Sequence, residues 1–167
     1  MAIFTKKQLA DYIEYIHFNV KGKRITPIKL QKGMYFLFAI WGGDIRKAKM
    51  GIIEDPKIAK LKEQLFVPKF QAWTYGPVDY DLFKSHGSSY VVILNMEEFI
   101  GKLEKKPVLV QIFLDTLLKE IFEAGDFSLV DSSHQDECWK RHYNPSAKTH
   151  NELIPEEEII NEYASRN

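Results

Sequence analysis

The sequence of 167 residues has one cysteine, Cys138, and no excess of either charge, since 23 Lys and Arg residues balance 23 Asp and Glu residues. A single cysteine excludes an internal disulfide and any zinc cluster built from several cysteines. A chain without net charge also lacks the overall field that draws proteins to nucleic acid or anionic membranes. Nucleic-acid binding is therefore the weakest interpretation that the composition leaves open.

Long hydrophobic runs are missing as well. The longest, Met34 to Trp41, is far too short to span a bilayer. The N-terminal segment turns polar at Thr5 and lacks the apolar stretch of a signal peptide. We expect a cytoplasmic protein without membrane contact. Phosphate-binding loops, dinucleotide fingerprints, HExxH, CxxC and GxSxG are also absent, so no motif indicates an enzyme class, a metal or a cofactor.

Capping signals mark the first two helices. Thr5 and Gln8 have the spacing of a capping box, and apolar residues then recur at helical intervals up to Val20. After a basic loop, Thr26 can cap a second helix and Pro27 can occupy its first position, where a missing N–H does no harm. We predict two helices that begin at these residues.

The second helix is apolar on almost every side, which is typical of a buried helix, so we place it at the centre of the fold. We expect it to end near Trp41, at Gly42 and Gly43. Lys29 and Lys32 share one face of its first half. Their stems can carry the ammonium groups to water, or the two lysines can point into a groove and hold an acidic partner.

The remaining pattern predicts a mainly α fold with a minor β part, in a single domain over 1–167. Short β-like segments lie near 66–75 and 88–95. Pro107 opens a helix that ends at Gly125, and Pro155 opens the last one. The Pro107 helix is strongly apolar, and one of its faces is formed by Leu109, Ile112, Phe113, Leu117 and Ile121.

His134, Cys138 and His142 recur every four residues and would form a stripe if 132–143 were one helix. A zinc site would need a fourth ligand. A nucleophilic cysteine would need an oriented base and oxyanion donors. The structural interpretation, which we favour, is a helix capped by Ser133 with Asp136, or by Ser132 with Gln135, in which Cys138 is a small buried hydrophobe.

The segment AWTYGPVDYDLF, Ala72 to Phe83, combines several aromatic rings with a turn. Gly76 precedes Pro77 and is therefore pushed out of the α region, while Asp79 and Asp81 suit the first turn of a following helix. Rings held by a rigid turn lose little entropy on binding a partner. Among these rings, we expect burial of Trp73 and Phe83 and exposure of Tyr75 and Tyr80.

Three blocks of the chain resemble the Panacea domain family, which includes SocA-like antitoxins and phage-associated GepA-like proteins. They are ITPIKLQKGMYFLFAIW (Ile25 to Trp41), LFVPKFQAWTYGPV (Leu65 to Val78) and SHQDECWK (Ser133 to Lys140). They occur in the family's order and spacing, and with the closing helix they cover nearly the whole chain. Two positions depart from the pattern: Gly33 replaces a leucine, and Cys138 replaces a small residue or proline.

The resemblance implies a mostly helical antitoxin from a prophage or other mobile element. Such a protein would bind a toxin encoded beside it, or deliver that toxin to a protease, and would be no enzyme. The alternative is a small hydrolase or metal protein that uses His134, Cys138 and His142. The toxin and the oligomeric state stay open. Family motif positions and the aromatic turn together give the expected partner-binding residues: Lys29, Lys32, Tyr35, Trp73, Tyr75, Gly76, Pro77, Tyr80, His134 and Trp139.

Overall fold

The computed structural model describes residues 2–52, 54–86 and 96–166. Within these residues the chain is mostly helical, with one small antiparallel sheet, which confirms the predicted fold class. The elements are α1 Lys6–Lys21, α2 Pro27–Lys49, α3 Pro56–Ala59, β1 Phe70–Trp73, β2 Gly76–Asp79, α4 Tyr80–His86, α5 Glu97–Glu104, α6 Val108–Glu123, α7 Asp126–His134, α8 Glu137–His142 and α9 Glu156–Ala164.

The first two helices begin where the sequence predicts. The Thr5 hydroxyl accepts a hydrogen bond from Gln8 N at 3.1 Å, and Gln8 Oε1 accepts one from Thr5 N at 3.1 Å, so the capping box is complete. Thr26 accepts from Lys29 N at 3.1 Å, and Pro27 is the first residue of α2. Both starts satisfy N–H groups that a helix leaves unpaired.

Helix α2 is the buried centre of the fold, as predicted, but its predicted end is wrong. It continues through Gly42 and Gly43 to Lys49 and packs most extensively against α9. A Cβ atom on Gly42 would lie 2.8 Å from Ile160 Cγ1, and one on Gly43 would lie 2.7 Å from Tyr163 Cβ. The two glycines therefore let α9 approach the backbone of α2, and they do not end the helix.

The β-like segment near 66–75 contains one strand of a hairpin. β1 and β2 pair antiparallel from Phe70 opposite Asp79 to Trp73 opposite Gly76, with Thr74 and Tyr75 in the turn. On the other edge of β1, the Glu152 carbonyl accepts from Ala72 N at 2.9 Å. The second predicted segment, 88–95, lies outside the described residues.

The apolar face of α6 noted in the sequence is not its buried face, except for Ile121. Ile112 is 54% exposed, and Leu109, Phe113 and Leu117 are only partly buried. They line an open groove of ≈ 460 Å³ between α6, α2 and α3. Because the helix is apolar on more than one side, composition alone did not identify the side that meets the core. The buried set is Val110, Leu114, Leu118, Ile121 and Phe122.

The predicted helix over 132–143 is divided in two. α7 ends at His134, Gln135 and Asp136 leave the helix, and α8 begins at Glu137. Ser133 and Asp136 form no capping box, because the Ser133 hydroxyl donates to Val130 O at 2.8 Å. Glu162 of α9 instead accepts from the N–H groups of Glu137 and Cys138. Long-range partners thus cap α8.

The described helices include none that is both long enough and apolar enough to cross a membrane.

We predict that Gly43→Ala destabilises the fold although alanine is the better helix former. Its methyl group would meet the backbone of α9, 2.8 Å from Tyr163 C, and overpacking of this kind typically costs about 1–3 kcal/mol. Gly101→Ala in α5 is the matched control, because nothing lies within 4 Å of its added Cβ, and it should stabilise by about 1 kcal/mol. Urea unfolding measures both, and equal gains would contradict the close α2–α9 approach.

Candidate functional site

An open cleft lies between the start of α2, the hairpin, α4 and the segment 149–151. Its volume is ≈ 760 Å³, within the range of ligand-binding clefts. We call it the Lys32 cleft. Its lining residues are Pro27, Ile28, Gln31, Lys32, Gln71, Trp73, Thr74, Tyr75, Val78, Tyr80, Phe83, Thr149, His150 and Asn151.

Lys32 is the charged residue of this cleft and is only 1% exposed. Its Nζ donates to the Pro77 carbonyl at 2.9 Å, and no described Asp or Glu lies within ion-pair distance of it. Burial therefore lowers the pKa of the Lys32 amine to about 7. The expectation that its stem carries the ammonium to water is wrong, since the side chain is buried, and the residue belongs to the lining of the cleft.

Gly76 permits the turn beside Lys32. Its φ of 99° lies in a region that favours glycine. A Cβ there would overlap Ser133 Oγ and lie 3.1 Å from Lys32 Cε. With Pro77 as the acceptor for Lys32, the turn, α2 and α7 meet at one point. Gly76 and Pro77 are buried, so they shape the site and present no surface to a partner.

His134 and Trp139 hold the same turn from its other side. His134 Nε2 lies 2.9 Å from the Thr74 carbonyl, and Trp139 Nε1 donates to the Trp73 carbonyl at 2.8 Å. The two rings stack with their centroids 4.3 Å apart. Trp139 is buried, and both residues fix the backbone of the turn. The structure thus gives them positioning contacts within the fold.

Aromatic rings form the rim of the Lys32 cleft. Tyr75 is 57% exposed and Tyr80 43%, as the sequence predicts. Phe83, expected in the core, is 45% exposed, because it lies on the outer side of the short helix α4 and packs on Trp73 at 5.0 Å. Trp73 is half-buried between rim and core. On the other side of Tyr75, exposed Phe127 continues the patch at 6.3 Å.

Two of the expected partner-binding residues lie elsewhere. The ammonium of Lys29 donates to the Phe122 carbonyl at 3.1 Å, at the end of α6, and lines no part of the Lys32 cleft. Tyr35 is fully buried, and its hydroxyl donates to Asp136 Oδ2 at 2.5 Å. Helical spacing placed them on α2 correctly but did not show that α6 and α8 cover those sides.

Asp136 organises a buried polar network behind the site. Tyr35 and Tyr163 both donate to its Oδ2, and Arg166 donates to its Oδ1 at 2.8 Å. Cys138 Sγ lies 3.4 Å from the Tyr35 hydroxyl, and burial raises the pKa of the thiol to about 12. A thiol held in this protonated form is a poor nucleophile.

His134, Cys138 and His142 do not converge. His134 stacks on Trp139 at the turn, and Cys138 lies in the core. The ring of His142 lies 2.7 Å from Glu152 Oε1 and 2.6 Å from Glu158 Oε2. Burial opposes protonation of this ring, but the two carboxylates outweigh it and raise the pKa of His142. Neither histidine belongs to a set with metal-binding geometry among the described residues.

A cluster that the sequence did not reveal joins α1 to α4. His86 Nε2 lies 2.8 Å from Asp11 Oδ1, with Glu14 beside them at a spacing compatible with a metal ion. Lys7 is paired with Asp11 at 2.5 Å, and Arg24 lies 3.4 Å from Glu14. An added metal ion would have to compete with these two cations.

His150 lines the cleft with a ring nitrogen that lacks a hydrogen-bond partner in the described structure, and the sequence did not predict that this residue belongs to the site. Its Nδ1 is buried without a hydrogen-bond partner among the described residues, and its ring packs on Tyr143 at 5.1 Å. Nothing in the local pattern around His150 signals this, because residues 149–151 reach the cleft only through the pairing of the neighbouring residues with β1.

Comparison with protein-family models, curated proteins and solved structures found no match to this chain. The resemblance to the Panacea family therefore stays a prediction.

We predict that Lys32→Met increases the free energy of unfolding near pH 7 by about 3 kcal/mol, since it removes the cost of a buried charge and loses one hydrogen bond. From about pH 7 to pH 10 the unfolded chain binds one proton more than the folded chain. The wild type therefore gains stability as the pH rises, and the advantage of the variant shrinks.

Urea unfolding at several pH values measures this difference. Lys29→Met is the control, because its ammonium lies 3.9 Å from Asp126 Oδ1 and its loss should not raise the free energy of unfolding. A Lys32→Met variant less stable than the wild type at neutral pH would contradict the prediction.

We also predict that Cys138 does not react with a thiol-specific reagent in the folded protein, because its thiol is buried and its pKa is raised to about 12. The thiol should become reactive when urea unfolds the chain. Thiol titration with and without urea measures the contrast, and Cys138→Ser supplies the background. Native-state reaction at the rate of a free thiol would restore the nucleophilic alternative.

Proposed function

We propose that this chain is an antitoxin-like protein-binding domain of a prophage or other mobile element, which acts in the cytoplasm. It binds a segment of a partner toxin at the Lys32 cleft, and it neutralises the toxin by occlusion or by delivery to a protease. The observation that carries the proposal is the exposed aromatic rim beside this cleft. The antitoxin role itself rests on the family resemblance.

The rim has the properties of a protein-binding surface. Exposed apolar patches of this kind mark interaction sites, and tyrosine is enriched among the residues that contribute most to binding. Tyr75 lies in a two-residue turn whose backbone is held by His134 and Trp139. A ring on a preorganised turn loses little entropy on binding.

The positions of His134, Cys138 and His142 support the enzyme alternative less well than the aromatic rim supports protein binding. The candidate nucleophile Cys138 lies in the core and lines no part of the Lys32 cleft. His134 and His142 are held by other partners. The three residues therefore lack the shared geometry that nucleophilic catalysis or a closed metal shell requires.

We predict that Tyr75→Ala and Tyr80→Ala each weaken the complex with the cognate toxin by about 2 kcal/mol or more, roughly 30-fold in affinity, while the fold stays intact. The toxin candidate is the product of the adjacent reading frame, tested first by co-purification. Calorimetry on the purified complex then gives the affinities, and growth rescue on co-expression gives the neutralisation.

Ile112→Ala is the matched control. Ile112 is 54% exposed but lines the separate groove between α6 and α2, so its truncation should leave the affinity unchanged. The proposal fails if both tyrosine variants bind the toxin as the wild type does, and a loss confined to Ile112→Ala would move the interface to the other groove.

A further inference from the structure

The Lys32 cleft has one cation and no anion of its own. Lys32 is the one Lys or Arg among its described lining residues, and that lining contains no Asp or Glu. The ammonium has three N–H donors, and the single hydrogen bond found for it in the described structure goes to the Pro77 carbonyl. A buried charge without a counter-ion is costly. The described lining of the cleft therefore lacks a negative group that would pair with Lys32.

A second nitrogen in the lining is also unsatisfied. His150 Nδ1 is buried and finds no hydrogen-bond partner in the described part of the chain. In the tautomer that protonates Nδ1, this atom is a donor. Lys32 and His150 approach the cleft from different parts of the chain, the start of α2 and the segment after α8. The lining of one cleft thus contains two nitrogen atoms with unused hydrogen-bonding capacity.

The other lining residues determine which chemical groups fit the cleft next to an acceptor for Lys32. Ile28 and Val78 supply aliphatic surface, and Trp73, Tyr80 and Phe83 supply aromatic surface. A single ammonium matches the single charge of a carboxylate, whereas nucleic-acid backbones are recognised by several cations. The complementary group is thus a carboxylate with apolar neighbours.

We propose that the Lys32 cleft binds an extended segment of a partner protein in which a glutamate or aspartate is flanked by aromatic or aliphatic residues, and that the carboxylate accepts a hydrogen bond from Lys32 Nζ. This inference rests on the proposed protein-binding function and names the chemistry of its partner. The free energy lost by burying an unpaired lysine in the unbound protein is recovered when the counter-ion arrives.

Two blocked tripeptides test the inference without knowledge of the toxin. One has glutamate between two phenylalanines, and the other has glutamine in its place. Each is titrated into the labelled full-length protein and followed by the backbone amide shifts of Thr74 and Tyr75. We expect the glutamate peptide to bind about tenfold more tightly or better, since one charged hydrogen bond accounts for a factor of this size.

Lys32→Met should abolish the difference between the two peptides, and Lys29→Met should preserve it, because Lys29 lies outside the cleft. The inference is overturned if the wild type binds the peptides equally, if it binds neither, or if the preference survives in Lys32→Met. It is also overturned if free hydrocinnamate binds more tightly than the glutamate peptide, which would indicate a small-molecule site.

The two proposals can fail separately. If Tyr75→Ala weakens the toxin complex but the peptides are not discriminated, the protein-binding function stands and the carboxylate preference is wrong. If the peptides are discriminated and the toxin binds both tyrosine variants as it binds the wild type, the carboxylate preference stands and the placement of the toxin interface at the Lys32 cleft fails.

Discussion

The hydrogen bond from the buried Lys32 ammonium to the Pro77 carbonyl ties the three sequence blocks together. It fixes the central helix α2 against the hairpin at the point where Gly76 adopts a positive φ. Ser133 of α7 packs into the space that a side chain on Gly76 would fill. Making this contact with a lysine lowers the free energy of unfolding, because a buried charge without a counter-ion is unfavourable. The place of Lys32 in the lining of an open cleft is what the proposed binding function would account for, since function often comes at the expense of stability.

The residues around this contact divide into those that build the turn and those that face solvent. His134 and Trp139 bind the Trp73–Thr74 backbone, and Tyr35 is anchored to Asp136 in the core. Tyr75 projects from the turn that they hold. In the proposed interface, most of the expected partner-binding residues would therefore support the turn, and the exposed rings would be the groups that contact the partner.

Local chemistry could be predicted from the sequence, and long-range packing could not. The capping box at Thr5 and the cap at Thr26 involve residues three positions apart, so the pattern contains the whole interaction. Gly42 and Gly43 look like a helix end because their true role depends on Ile160 and Tyr163, more than a hundred residues away. For the same reason the cleft lining at His150 was missed, whereas the exposure of Tyr75 followed from its turn.

The chain has no net charge, but the charged residues that line the Lys32 cleft and the groove between α6 and α2 have opposite sign. The Lys32 cleft is lined by a lysine and no carboxylate, whereas the groove between α6 and α2 is lined by Asp44 and Glu120 and no Lys or Arg in the described residues. Asp44 is half-buried, and this burial raises the pKa of its carboxyl. Long-range steering is weak for a chain without net charge, so in the proposed function the choice of partner would be decided at contact distance, by the charge that each apolar surface lacks.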